Sequence, residues 1–351
     1  MAFDPDFEEL QRDEPGRQET GGAQDRPRRR GAGRALPVFL CLLLTAAGFF
    51  LMFYDGKRDV RHGVCRCGDG RMMELPCEPD MDKIDQTADG IGQLAQAHPE
   101  IAQYMMLIPS AACVQPDYLP AGLQIRDQKA DLSMVRSKMP QALSWIDLYE
   151  LFSVHAGEKL YYATDIYLTG WGSRYASGLA LEKMGARAPE GKDTCYLLSD
   201  SYEGKLAADR DLVQRLTGNK KERLEIYIPE EEAAYYRVDG LTGRLSGSLY
   251  DSRALRGTQQ YDVFFGGNRP LTEICTTAVN GQTLLIIGDR EADSVVPGFV
   301  SSFEKIILVH PDKSPATIEK LIGEYQPTGI LYLYGANSFM RDRALLHALG
   351  K

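Results

Sequence analysis

The sequence lacks the short motifs that announce several common chemistries. Among its 351 residues there is no metal-ligand spacing, no glycine-rich phosphate loop and no dinucleotide fingerprint. It also lacks an excess of positive charge, since the formal net charge is −9. Phosphate neutralisation needs a basic face, so this balance argues against a nucleic-acid binder. We therefore expect no metal, no cofactor and no nucleic-acid partner.

The N-terminal region has few large apolar residues until one long apolar run begins. Residues 1–35 are rich in Arg, Asp, Glu, Gly and Pro, which predicts a disordered cytoplasmic tail. Residues 36–54 then read LPVFLCLLLTAAGFFLMFY without a single charge, a length that crosses a bilayer. The basic cluster RPRRRGAGR before this run favours a cytoplasmic N-terminus. We interpret residues 36–54 as an uncleaved signal anchor; a cleaved signal peptide stays open as the alternative.

This topology predicts a single-pass protein of the cell membrane with an extracytoplasmic main domain. Cys41 falls inside the predicted span, and six further cysteines would face a compartment that permits disulfides: Cys65, Cys67, Cys77, Cys113, Cys195 and Cys275. The first three of these, with His62 nearby, form only a weak zinc pattern. We interpret them as disulfide-bonded or free thiols, and their pairing does not follow from the spacing.

Alternating strand and helix patterns fill the rest of the chain. Residues 55–80 are rich in Gly, Pro and charge, which predicts a juxtamembrane stalk before a domain spanning residues 81–351. Apolar runs such as YMMLIPS, QYDVFFGG, TLLIIGD, KIILVHP and TGILYLYG are typical of strands covered on both faces. The pattern predicts an α/β fold with a doubly wound, mostly parallel sheet. Polar–apolar alternation predicts a β-rich insertion at about 195–258.

Two further predictions concern the ends of these strands and the helix after residue 169. Ligands of doubly wound sheets bind outside the carboxyl ends of the strands. That rule places four candidate binding residues together: Gly267, Asn268, Asp289 and Arg290. Trp171 and Tyr175 lie on one face of a helix capped by Thr169. We interpret these two aromatic residues as core packing rather than ligand contacts.

The segments, in this order, resemble the DHHW group of bacterial envelope proteins. The landmarks are YMMLIPS, LPAGLQIRDQ, KLYYATDIYLTGWGSRYA, YDVFFGGNRPLTEI, TLLIIGDREADSVVPGF and ILYLYGANSF, over residues 81–345. That group belongs to the SGNH hydrolase-like superfamily and is related to acetyltransferase-like proteins of alginate modification. The resemblance implies a flavodoxin-like α/β fold and O-acyl chemistry on cell-envelope polysaccharide.

The resemblance also implies which positions carried that chemistry. In the family, the Asp and second His of T-D-H-H-W-T act with a later serine, whose hydroxyl needs a base to become nucleophilic. Residues 164–169 read TDIYLT here, so Asp165 remains but Tyr167 stands at the histidine position. Residues 289–294 read DREADS, which puts Arg290 at the serine position. A guanidinium and a phenol are poor substitutes, so we regard Asp165, Tyr167 and Arg290 as vestigial positions.

Two main functional hypotheses follow. The first is a catalytically inactive binding or scaffold module, a pseudoenzyme of the cell envelope that contacts polysaccharide or envelope-assembly proteins. The alternative is an active O-acyl esterase or acyltransferase with rearranged residues, for which Ser294 with His155 or His310 is the conceivable set. Arg290 would either attract an anionic ligand or pair internally with an aspartate: Asp165, Asp289 or Asp293.

Overall fold

The computed structural model describes residues 43, 45, 60–208, 221–240, 242–267 and 269–351. The predicted tail and nearly all of the predicted anchor, residues 36–54, lie outside this part of the chain, and so does Asn268. No helix among the described residues is both long and apolar enough to cross a membrane. Asp55–Lys351 forms one structural unit, and it is this unit that we describe.

A mixed eight-stranded sheet organises the domain, in the order β5-β4-β13-β11-β12-β10-β8-β9. The first five strands in that order run parallel, and the other three extend one edge as antiparallel neighbours. The strands are β4 (Ala102–Ile108), β5 (Leu143–Ile146), β8 (Tyr235–Asp239), β9 (Leu245–Ser246), β10 (Leu271–Thr276), β11 (Thr283–Gly288), β12 (Lys305–Val309) and β13 (Gly329–Gly335).

Both faces of the parallel strands are buried, as their unbroken apolar runs predict. Leu284 and Ile286 of β11 join the apolar cluster on one face, while Leu285 and Ile287 join the cluster on the other. Side chains alternate along a strand, so a run that is apolar throughout supplies both layers. The α-helices that supply these layers and connections are α1 (Met81–Ala97), α2 (Ala111–Val114), α3 (Gln128–Lys138), α4 (Leu148–Val154), α5 (Gly170–Met184), α6 (Ile318–Tyr325), α7 (Ala336–Arg341) and α8 (Ala344–Ala348).

The predicted cap of the helix after residue 169 is confirmed. Thr169 caps α5 through Gly172 N–H, and Gly185 ends that helix in a left-handed conformation. Thr317 caps α6, the helix before β13, by accepting from Lys320 N–H.

The strand predicted at QYDVFFGG is wrong. A 3₁₀ helix, Gln260–Val263, occupies its first half, and Phe265, Gly266 and Gly267 then all have positive φ. Three successive left-handed residues cannot continue an extended strand. The next strand of the sheet is instead β10, which was not predicted and runs antiparallel to β12.

The predicted insertion divides into two parts. Strands β6 (Asp193–Tyr202) and β7 (Glu222–Pro229) form a separate antiparallel pair, whereas β8 and β9 extend the main sheet.

Within the described residues, the predicted stalk contributes three short strands rather than an extended linker. These are β1 (Val60–Arg61), β2 (Val64–Arg66) and β3 (Met72–Glu74). Cys65 and Cys67 are buried in the main apolar cluster, so this small sheet is part of the domain.

Candidate functional site

A cleft of about 600 Å³ lies where the carboxyl end of β11 meets the insertion. We call it the carboxyl-edge cleft. Its walls include all three vestigial positions, Asp165, Tyr167 and Arg290. The remaining lining is polar, aromatic or charged and includes Ser201, Tyr202, Glu203, Lys205, Lys221, Thr258, Gln259, Gln260 and Tyr261. The fold therefore brings together residues that are more than a hundred positions apart in the chain.

Asp165 is buried, and both of its carboxylate oxygens accept hydrogen bonds. One oxygen accepts from Ile166 N–H at 2.8 Å; the other accepts from the Tyr202 hydroxyl at 2.5 Å and from Lys205 N–H at 2.9 Å. Burial nevertheless raises the pKa of Asp165 above its ordinary value, with these hydrogen bonds opposing the shift. These three hydrogen bonds commit the carboxylate mainly to holding its own loop.

Residues of the insertion hold the loop that carries Asp165. The buried carboxylate of Glu222 accepts from Ala163 N–H at 2.8 Å, Thr164 N–H at 3.0 Å and the Thr164 hydroxyl at 3.1 Å. Gly204 lies against the other side of the loop, where a Cβ atom would stand 2.3 Å from the Thr164 carbonyl oxygen. Only glycine fits that approach.

Tyr167 is a buried, neutral phenol. Its ring stacks on Tyr261 with centroids 3.8 Å apart and an interplanar angle of 12°, and Lys205 Nζ lies 4.9 Å from its centroid. Burial raises the pKa of Tyr167 above its ordinary value, although Arg290 acts in the opposite direction. The residue at the family's histidine position therefore cannot act as a base near neutrality.

Arg290 begins the 3₁₀ helix Arg290–Ser294 directly after β11. Its Nη2 donates to Asp262, forming an ion pair; the three aspartates named from the sequence were the wrong partners. Burial opposes its charge, but Tyr167 and Asp262 outweigh that effect and raise the pKa of Arg290. Gly267 lies beside this pair, since a Cβ there would stand 3.2 Å from Asp262 Cγ.

Asp289 has a structural role in this geometry. It caps the 3₁₀ helix by accepting from Glu291 N–H at 3.0 Å, and its other oxygen accepts from Gly335 N–H at 3.1 Å. The second bond ties the end of β11 to the end of β13. Burial raises the pKa of Asp289.

A second compartment of about 410 Å³ lies on the other side of Tyr167, Lys205 and Arg290. Acidic residues dominate its lining, which includes Glu74, Asp289, Glu291, Asp312 and Asp342. Burial, with Asp289 nearby, raises the pKa of Glu291 well above its ordinary value. Within the described residues no three such side chains are arranged to hold a metal ion.

The rearranged catalytic set is not assembled among the described residues. Ser294 Oγ accepts from the Ser173 hydroxyl at 2.7 Å. His310 is buried and its Nε2 lies 3.0 Å from Asp293 Oδ1. His155 is held by Glu158 at 2.6 Å and packs on Tyr175. Neither histidine contacts the hydroxyl that it would have to activate.

Trp171 and Tyr175 line a separate apolar cleft of about 400 Å³, and Tyr175 also packs against the main apolar cluster, as predicted. Both side chains are half-buried, and Trp171 Nε1 donates to Glu158 at 2.6 Å. Helical spacing identified their shared face, but it could not distinguish a core from a cleft wall.

Sequence reasoning missed Tyr202, Lys205, Glu222, Tyr261 and Asp262. All five lie in the insertion or in the segment predicted as a strand, where no motif marks them. Only the fold brings them to the Asp165 loop and to Arg290.

This architecture defines an α/β protein built on a large mixed sheet. The chain belongs to the DHHW protein family, whose sequence model matches residues 85–309. A DHHW family protein from Eubacterium siraeum shares the fold with a TM-score of 0.68 and 18% identity, over 80% of this chain and 95% of its own. No curated protein shows significant sequence similarity.

Two further solved structures share the fold. Bacillus cereus PatB1, solved with a sulfonyl adduct, has a TM-score of 0.64 and 18% identity, covering 80% of this chain and 98% of its own. The O-acetyltransferase domain of Pseudomonas putida AlgJ has a TM-score of 0.50 and 11% identity, covering 80% of this chain and 94% of its own.

Proposed function

We propose that this chain is a non-catalytic member of its family that binds cell-envelope polysaccharide in the carboxyl-edge cleft. One observation carries the proposal: the vestigial triad positions hold an engaged aspartate, a buried phenol and an arginine paired with Asp262. The phenol and the guanidinium can neither generate nor serve as a nucleophile near neutral pH. Polysaccharide is the ligand class implied by the resemblance to the DHHW group of envelope proteins, which is an argument by analogy.

The lining of the cleft supports binding. Tyrosine faces with amide, hydroxyl and ammonium groups around them combine apolar contact with hydrogen bonding, which suits sugar rings. Gln259, Gln260 and Lys205 provide polar groups, and the stacked, largely buried rings of Tyr167 and Tyr261 form part of the wall.

The catalytic part of the proposal is tested with small acyl esters. We expect the full-length protein to show no hydrolysis above background. The variant Tyr167→His with Arg290→Ser restores the family's residue types, and we expect it to gain at most weak activity because Tyr202 and Lys205 still engage Asp165. Turnover by the wild-type protein that disappears in Ser294→Ala or Asp165→Ala would favour the alternative, an active esterase or acyltransferase.

The binding part is tested by cosedimentation with insoluble envelope polysaccharide. Tyr261→Ala removes one of the two stacked rings, and we expect it to weaken retention several-fold. Tyr196→Ala is the matched control, because Tyr196 is exposed on β6 and does not line the cleft. Equal retention of all three proteins would contradict binding at this cleft.

We also propose that residues 36–54 anchor the protein with its main domain outside the cytoplasm. The uncharged 19-residue run and the basic cluster before it support this topology. Release of the full-length protein from membranes by alkaline carbonate would contradict the anchor. If copurification of assembly proteins depends on residues 1–35, recruitment through the tail would replace polysaccharide binding as the main role.

A further inference from the structure

Arg290 has more hydrogen-bond donors than acceptors around it. A guanidinium carries five N–H donors, but the described residues provide one acceptor, Asp262, at Nη2. Nε is buried without any partner. The side chain is 24% exposed, and it lines the carboxyl-edge cleft. A partly buried arginine with unused donors is arranged to accept a second anionic group.

The charged side chains that line the carboxyl-edge cleft favour an anion there. Lys205 and Lys221 line it together with Arg290, against two carboxyl groups, Asp165 and Glu203. Asp165 is enclosed by donors from its own protein. The Lys205 ammonium lies over the Tyr167 ring, on the wall that Arg290 also forms.

We propose that Arg290 and Lys205 form an anion subsite that recognises a carboxylate of the bound polymer, such as that of a uronic acid. This inference rests on the proposed binding function and names its ligand class. Asp262 accepts from Nη2 and Nε is buried, so a ligand carboxylate would bind the remaining Nη donors. Arginine suits this task because its planar fork matches carboxylate geometry.

The test compares two forms of one polymer with the full-length protein. Polygalacturonate carries a carboxylate on each sugar, and its fully methyl-esterified form carries none. We expect the wild-type protein to bind the acid form about tenfold or more tightly, with a preference that shrinks as salt is raised. Arg290→Gln should abolish the preference, and Arg290→Lys should retain part of it. Arg187→Gln, which changes an exposed arginine paired with Glu190, should leave the preference unchanged.

A second variant keeps the subsite testable if Arg290→Gln folds poorly. Asp262→Asn removes the internal carboxylate that competes for Arg290, so we expect it to bind polygalacturonate a few-fold more tightly. If the Arg290–Asp262 pair only stabilises the cleft, the same change would weaken binding.

The remaining outcomes separate the subsite from the proposed function. Failure to bind either polymer would overturn polysaccharide binding, and the subsite with it. Equal binding of both polymers, unaffected by Arg290→Gln, would overturn the subsite and leave polysaccharide binding in place. Displacement of polygalacturonate by inorganic phosphate at lower concentration than by galacturonate would overturn the carboxylate assignment in favour of a phosphate group.

Discussion

The two segments that deliver side chains to the carboxyl-edge cleft are held by different parts of the protein. The Asp165 loop is held by the insertion, through Glu222, Tyr202 and Gly204. The Arg290 turn is held by the sheet: Asp289 accepts from Gly335 N–H at the end of β13, and Asp293 pairs with His310 after β12. The insertion therefore holds the Asp165 loop, and the parallel sheet holds the Arg290 turn.

The residues that hold the two segments in place differ from the residues that line the cleft. Both scaffolds use buried polar groups, whereas Tyr167 and Arg290 line the cleft. A change at a cleft-facing position can remove catalysis without disturbing either scaffold. We therefore expect that the residues at these two positions can change while the scaffolds around them stay in place.

The largest expected effect comes from the sheet-held segment. His310→Leu leaves the buried carboxylate of Asp293 without its ionic partner, and breaking such a pair costs about 3–5 kcal/mol. We expect a loss of this size in the free energy of unfolding measured by urea titration. Replacing both residues, as His310→Leu with Asp293→Leu, should recover most of it because no charge is left unpaired. Equal destabilisation by the single and double variants would show that the pairing is unimportant.

The same pair predicts a pH dependence. Burial lowers the pKa of His310, but Asp293 outweighs it, so the net shift is upward. A raised folded-state pKa means that the contribution is complete below the unfolded value of about 6.5 and is lost as the pH rises through the folded value. We expect the free energy of unfolding of the wild-type protein, relative to that of the double variant, to fall between pH 6 and pH 9. A difference that grows with pH would contradict this assignment.

A smaller effect is expected in the insertion-held segment. Glu222→Ala leaves the buried N–H groups of Ala163 and Thr164 without acceptors, which costs about 2 kcal/mol for the pair. Glu225→Ala, on the same strand and partly exposed, is the control and should change stability by less than about 1 kcal/mol. Weaker polysaccharide binding by Glu222→Ala alone would sharpen the contrast between the two scaffolds.

The smallest expected effect concerns one hydroxyl. Tyr202→Phe removes the 2.5 Å hydrogen bond to Asp165 while keeping the ring in place. We expect a loss of about 1 kcal/mol and a further rise in the pKa of Asp165, because that bond lowers it. Carboxyl titration by NMR would measure the rise. An unchanged pKa would mean that the backbone donors alone hold this carboxylate.

Much of the fold could be predicted because its signals are local. Continuous apolar runs identified β4, β11, β12 and β13, and Thr169 with Gly185 marked the ends of α5. The strand predicted from Tyr261 failed because a long apolar run does not show that Phe265 and the glycines after it have positive φ. The residues around the cleft were harder, since Glu222 and Asp262 make contacts across long sequence separations.

The sequence alone determined the α/β class and the family, and it predicts that Tyr167 and Arg290 stand where family members carry histidine and serine. These depend on residue type, strand periodicity and the order of motifs, all of which are written along the chain. Tertiary structure decided that Asp165 is enclosed by the insertion, that Arg290 pairs with Asp262, and that Trp171 faces a cleft. Such pairings are selected by packing, because the burial of each polar group depends on which distant segments come to cover it.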